Sequence, residues 1–217
     1  MDRRTTLKWV LAAGAAWPLV QRRAAQAGTS LAARTDVARA AAAPARGYGR
    51  DPDLAANYHP GDLWPLTLTA VERRLAGMLA DIIIPADEHS PGASAVGVVE
   101  FIDEWVSAPY PAQQRDRTLV LGGFAWLDDE AARRFGKGFA DLDTPLQHGI
   151  CDDICDESRT ATERRDAARF FALYRDLTAG GFYSSPAGRK DLSYIGNVPL
   201  ASFEGAPPAL LKTLGLS

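Results

Sequence analysis

Two groups of side chains in this sequence could do chemistry if the fold brought their members together. The first is Asp87-Glu88-His89-Ser90, which sets carboxylates, an imidazole and a hydroxyl side by side, the parts of a general base or a metal site. Neighbours on one loop rarely converge on a single point, however. Asp, Ser, Pro91 and Gly92 are also the residues of tight turns, so the turn reading is preferred here. The second group is His148, Cys151 and Cys155, at spacings of three and four. On a helix these share one face and would offer three soft ligands to copper or zinc, with no fourth ligand in view. The same pair, Cys151 and Cys155, could form a disulfide, which would be strained on a regular helix. It could equally serve as small apolar side chains in a helix seam beside Ile150 and Ile154. These readings stay open together.

Other chemistries are excluded by pattern. Lys190, Ser193 and Tyr194 are the residue types of dehydrogenase proton transfer, but they stand in the wrong order for it and no nucleotide-binding unit precedes them. No Cys-x-x-Cys-His and no set of four cysteines occurs, so neither a c-type haem nor an iron–sulfur centre is encoded. No G-x-G-x-x-G follows a strand-like run and no phosphate-binding G-x-x-x-x-G-K-S/T is present. No cofactor site is visible in this chain.

The elements that would position these groups are helical. Thr69-x-x-Glu72 is a capping box, followed by Val71, Leu75, Met78, Leu79, Ile82 and Ile83 at helical spacing and a stop at Pro85. Phe101, Ile102, Trp105 and Val106 predict a short helix closed by Pro109. A long one follows from about Ala112 to Phe135, with Leu121, Phe124, Leu127 and Ala131 on one face and Gly136 as its stop. Thr144-Pro145 starts another helix, along which Leu146, Ile150 and Ile154 step by four. The last spans roughly Ala161 to Thr178, with Ala167, Phe171, Tyr174 and Leu177 inward and Gly180-Gly181 as terminator. Alternating β-branched runs are absent. The expectation is a mainly α protein: a small helical domain over 67–181, an extended linker and arm over 28–66, and a second irregular arm over 182–217. Residues 28 to about 46 are Ala/Arg-rich and read as a tether, whereas 47–65 combine turn formers with Tyr48, Tyr58 and Trp64. Irregular segments of this length are uncommon unless they are functional or bind a partner.

Residues 1–27 have the form of a signal peptide: a charged start, a mildly apolar stretch from Trp9 to Val20, and the small-x-small site Ala25-Gln26-Ala27. The apolar stretch is too short and too diluted by Gly14 and Pro18 to span a bilayer, so cleavage after Ala27 is expected rather than anchoring. Arg3-Arg4 followed by Leu7 and Lys8 resembles the twin-arginine pattern, with Thr6 where such signals usually carry Phe. The Ala/Gly-rich apolar segment favours that route over the general secretory one, whose signals are Leu-rich. The expected location is therefore the periplasm, and the route carries folded cargo. Residues 1–27 hold five basic side chains against Asp2, so a full-chain charge of −3 becomes −7 once they are removed. A chain of that charge has no reason to bind nucleic acid or an anionic membrane surface.

Several stretches together resemble the gluconate 2-dehydrogenase subunit 3 family, the small or gamma subunits of membrane-associated flavin sugar dehydrogenases. They are Tyr48-Gly49 with Asp51-Pro52-Asp53-Leu54, Trp64-Pro65-Leu66-Thr67-Leu68-Thr69, residues 79–93 with Ile82-Ile83-Ile84-Pro85-Ala86-Asp87-Glu88-His89-Ser90-Pro91-Gly92-Ala93 as the most specific piece, and Tyr183-Ser184-Ser185-Pro186 with Gly188. The resemblance covers most of the mature chain. It implies a non-catalytic helical subunit that binds an FAD-containing oxidoreductase of the glucose–methanol–choline type, FAD residing in that partner. It also implies that the small subunit carries the export signal and that the two travel together through the twin-arginine translocase. Whether a cytochrome subunit joins is left open. Tyr48, Asp51, Pro52, Trp64, Pro85, Asp87, His89, Pro91, Tyr183, Ser185, Pro186 and Asn197 are the candidate interface residues on this reading. The resemblance assigns no role to the cysteine pair, which stays open.

Overall fold

The computed structural model describes residues 57–196, 199, 201–202 and 205–216. The export signal with Arg3, Arg4, Leu7 and Lys8, its cleavage residues Ala25 and Ala27, and the candidate interface residues Tyr48, Asp51, Pro52 and Asn197 lie outside them. Seven α-helices occur among the described residues, with no strand: α1 Ala70–Ile83, α2 Val98–Ser107, α3 Pro111–Phe135, α4 Thr144–Asp152, α5 Arg165–Ser184, α6 Pro186–Asp191 and α7 Pro208–Thr213. No helix among them is long and apolar enough to cross a membrane.

The boundaries follow local chemistry. Thr69 caps α1, its hydroxyl accepting from the Glu72 N–H, while the Glu72 carboxylate accepts from the Thr69 N–H at 2.8 Å. Gly136 stops α3 in the left-handed conformation (φ +71°), where its N–H still reaches Ala132 O. The α5 helix is the centre of the bundle and packs against α1, α2 and α3. It therefore buries more than a single stripe: Ala167, Phe170, Phe171, Tyr174, Leu177 and Phe182 are all in the core. Phe124 of α3 meets Phe170 and Tyr174 edge-on at 5.9 and 5.5 Å between ring centroids. The Tyr174 hydroxyl, wholly buried, donates to Ala76 O at 2.8 Å and so ties α5 to α1, and that burial pushes its pKa up.

Three sequence expectations change. Gly180-Gly181 does not terminate the last long helix, which continues to Ser184 with Phe182 in the core. A Cβ at Gly181 would come within 2.9 Å of the Phe101 ring, so glycine there permits close approach of α5 to α2. The stop comes from Ser185-Pro186, because Ser185 adopts an extended conformation before the proline. Val71, placed on the inner stripe of α1, is 70 % exposed, since the core side of that helix runs through Leu75, Ala76, Leu79, Ala80 and Ile83. Leu146 also faces outward, and Ile154, although buried, lies beyond the end of α4.

Candidate partner-docking site

The segment before α1 lies along α2 and is held by that helix's carboxylates. Asp103 sits on the apolar stripe of α2 with Val99, Ile102 and Val106, and is fully buried. Its Oδ1 accepts from the Thr67 and Leu68 backbone N–H groups at 3.1 and 3.0 Å and from Ser107 Oγ at 3.3 Å. Its Oδ2 accepts from Arg73 at 2.6 Å, and Arg73 also reaches Glu100 at 2.6 Å. A buried carboxylate is costly unless its lone pairs are filled, and here they are. Next to it, Glu104 accepts from the Gly61 N–H at 2.9 Å. Burial raises the Glu104 pKa, opposed by that hydrogen bond and assisted by the charges of Asp103 and Asp62.

Trp64 completes this strap. It is 4 % exposed, its indole N–H donates to Glu104 O at 3.3 Å, and its ring meets Tyr110 edge-on at 6.1 Å. The largest aromatic of the candidate interface is thus turned into the chain's own body, while Tyr58 and Leu66 of the same segment stand at the surface.

The loop after α1 is built as a turn. Asp87 Oδ1 accepts from the N–H groups of His89 and Ser90 at 2.8 and 3.0 Å, and the Asp87 N–H donates back to Ser90 O at 3.0 Å. This arrangement leaves the Asp87 carboxylate facing its own loop backbone, with His89 and Glu88 exposed. Below the turn, Asp81 holds Ser94 through both its N–H (2.8 Å) and its hydroxyl (2.6 Å). A Cβ at Gly92 would lie 2.8 Å from Asp81 Oδ1, which explains why glycine follows Pro91 in this motif. The stretch 82–93 is a closed corner between α1 and α2, with Pro91 and the 86–89 tip outward.

The second group does not assemble. The α4 helix ends at Asp152, so Cys155 sits past a turn rather than on the helical face shared by His148 and Cys151. Both cysteines are free thiols, Cys151 buried and Cys155 partly exposed with its thiol donating to Asp152 O at 3.3 Å. Burial pushes both thiols up, reinforced by the neighbouring Asp152, so neither is a ready thiolate. Among the described residues no three His, Cys, Asp or Glu side chains are grouped to hold a metal ion, which removes the geometry on which the metal reading of His148, Cys151 and Cys155 depended.

Tyr183, Ser185 and Pro186 form the corner between α5 and α6. Ser185 caps α6 by accepting from the Gly188 N–H at 3.1 Å, Pro186 occupies the first turn, and Tyr183 is half-buried against Phe182 at 5.1 Å. Gly188 is buried against the end of α5, where a Cβ would collide with Phe182 O at 2.1 Å. Beyond this corner in the chain, Leu192, Tyr194, Ile195, Leu210, Leu214 and Leu216 are all exposed.

Sequence reasoning missed Asp81, Asp103, Glu104 and Glu130. Asp103 carried a signal, a charged residue on an otherwise apolar helical stripe. Glu130 carried a similar one on α3, where it is buried beneath Arg133 and Arg134 with Arg164 nearby. Hydrogen bonds from Arg133 and Arg134 lower its pKa to about 2 against the opposing effect of burial.

The family model described as Gluconate 2-dehydrogenase subunit 3 matches residues 70–202. No curated protein and no solved structure matches the chain.

Proposed function

The chain belongs to the gluconate 2-dehydrogenase subunit 3 family, and from that premise we propose that it is the non-catalytic small subunit of an FAD-dependent sugar or glycoside dehydrogenase. It binds the catalytic subunit, stabilises it and escorts it through twin-arginine export to the periplasm. The observation that carries this reading is the family match over 70–202, which takes in the helical body, the 82–93 corner and the 183–188 corner. The use of the polar residues supports it. Asp81, Asp87 and Asp103, carboxylates that a catalytic reading would recruit, are engaged with the chain's own N–H and O–H groups. FAD belongs to the partner on this reading, and the Arg3-Arg4 signal serves both chains.

An obligate complex of this type buries upwards of ~2,000 Å². The outward-facing members of the candidate interface, Pro91 and His89 at one corner and Pro186 at the other, with half-buried Tyr183 beside it, would contribute to that area. The test is co-expression with an FAD-containing dehydrogenase catalytic subunit of the same complex. Stable co-purification and active enzyme in the periplasm are expected, and Arg3→Lys with Arg4→Lys should strand that activity in the cytoplasm. A flavoprotein that reaches the periplasm unaided refutes the escort role. A general secretory signal grafted in place of residues 1–27 separates escort from stabiliser: an escort of folded cargo then delivers no active enzyme.

A further inference from the structure

We infer that the C-terminal segment around α7 is a docking helix for the catalytic dehydrogenase subunit, a proposal that rests on the function proposed above. Helix α7, Pro208–Thr213, has six residues and none of them is buried. Leu210 and Leu214, one turn apart, are 48 % and 59 % exposed, and Leu216 is 70 % exposed. A helix this short has no stability of its own in water, where even Ala-rich helices below ~12 residues are marginal, and Leu210 and Leu214 stay largely uncovered by the described residues.

The occupant follows from elimination and from the family. Residues 205–217 carry a single basic residue, Lys212, and no aromatic, whereas interfacial membrane helices combine several Lys or Arg with Trp, Phe or Leu. A two-fold contact between copies would offer six-residue helices against the ~800 Å² per partner of a standard interface. A preformed groove on a larger protein suits a short amphipathic helix, with leucines at i and i+4 as anchors. The chain is by family a subunit of a dehydrogenase, so a larger protein is the expected neighbour.

The geometry favours such a contact. The base of the segment is fixed by the α5–α6 corner through Ser185 and Gly188. Leu192, Tyr194 and Ile195, which follow that corner in the chain, are exposed as well. Eleven residues separate Gly196 from Pro208, a span of at most ~40 Å. Pro207 and Pro208 stiffen the entry to α7, which lowers the ordering cost of binding. The family match ends at 202, so α7 would add affinity or partner choice to a contact made by the matched body.

The test uses the full mature chain and its catalytic subunit, with binding measured by titration and the α7 amides followed by hydrogen exchange. Leu210→Asp with Leu214→Asp should weaken binding at least about a hundredfold, as expected for two buried anchors. The same double variant should leave the Tm of the isolated small subunit unchanged, and Lys212→Ala should leave affinity within about threefold. Amides 210–216 should gain protection in the complex. Wild-type affinity in the double variant, or no added protection, overturns the docking helix while leaving the subunit reading intact. A wild-type chain that forms no complex overturns both. A dimer mass for the isolated chain that collapses in the double variant assigns the leucines to a second copy and also overturns the proposal.

Discussion

Replacing Asp103 by alanine removes the acceptor that ties residues 67–68 to α2. Thr67 keeps a second acceptor, Ser107 Oγ at 2.8 Å, but the buried Leu68 N–H, now 3.0 Å from Asp103, is left without one. An orphaned buried donor costs about 1–3 kcal/mol. Arg73 loses its 2.6 Å partner but retains Glu100 and is about a third exposed, so water compensates and this part is worth ~1 kcal/mol. The total is about 2–4 kcal/mol, which lowers Tm by roughly 5–15 °C for a chain of this size. Asp103→Asn can still accept from both backbone N–H groups through its amide oxygen, but it loses the ion pair and turns an NH2 donor towards the Arg73 guanidinium. That guanidinium is about a third exposed and can swing to Glu100 and water, so the variant should fall between wild type and Asp103→Ala. Urea denaturation gives the ranking, and hydrogen exchange at the Leu68 amide gives its cause, since exchange should accelerate in the alanine variant more than global unfolding explains. An alanine variant within 0.5 kcal/mol of wild type, an order-of-magnitude margin set against the cost above, or an asparagine variant no better than alanine, would refute the acceptor role.

Three further predictions test other parts of the body. Glu130 has its folded pKa lowered to about 2, so its contribution is fully present above its ordinary value near 4.5 and is lost as pH falls towards 2. Glu130→Gln should therefore flatten the stability–pH curve between those limits by up to one proton, about 1.4 kcal/mol per pH unit, measured as the urea midpoint from pH 5 to 2.5. Gly180→Ala, at a helical site with nothing within 4 Å of the added methyl, should stabilise by ~0.5–1 kcal/mol. Its neighbour Gly181→Ala, pressed against Phe101, and Gly123→Ala, whose methyl would fall inside the Phe170 ring, should destabilise, the latter by about 1–3 kcal/mol on thermal melts. Arg175 is 7 % exposed, its Nε has no hydrogen-bond partner and its nearest carboxylate, Asp176, is 3.7 Å away. Arg175→Met should accordingly leave Tm unchanged or raise it, because a poorly paired buried cation contributes little over an apolar side chain of similar length.

Several features were legible in the sequence because they are local. The Thr69–Glu72 capping box, the Gly136 stop and the inward stripe of Leu121, Phe124, Leu127 and Ala131 depend on residues within a few positions of one another, and the structure places each as expected. Helix content follows from that same local pattern. What a residue packs against is set by elements distant in sequence, and there the tertiary structure decided. Gly180-Gly181 has the form of a helix stop until Phe101, eighty residues away, is seen to need the space at Gly181. Trp64 has the form of an outward anchor until Glu104 and Tyr110 enclose it. His148 and Cys155 share a helical face only if α4 continues, and it ends at Asp152. The leucines of α7 show the converse: Leu210 and Leu214 stand one helical turn apart in a stretch read from sequence as an irregular arm, and among the described residues both are exposed. Periodicity says which side chains seek cover, whereas whether cover exists depends on the three-dimensional arrangement of every other element.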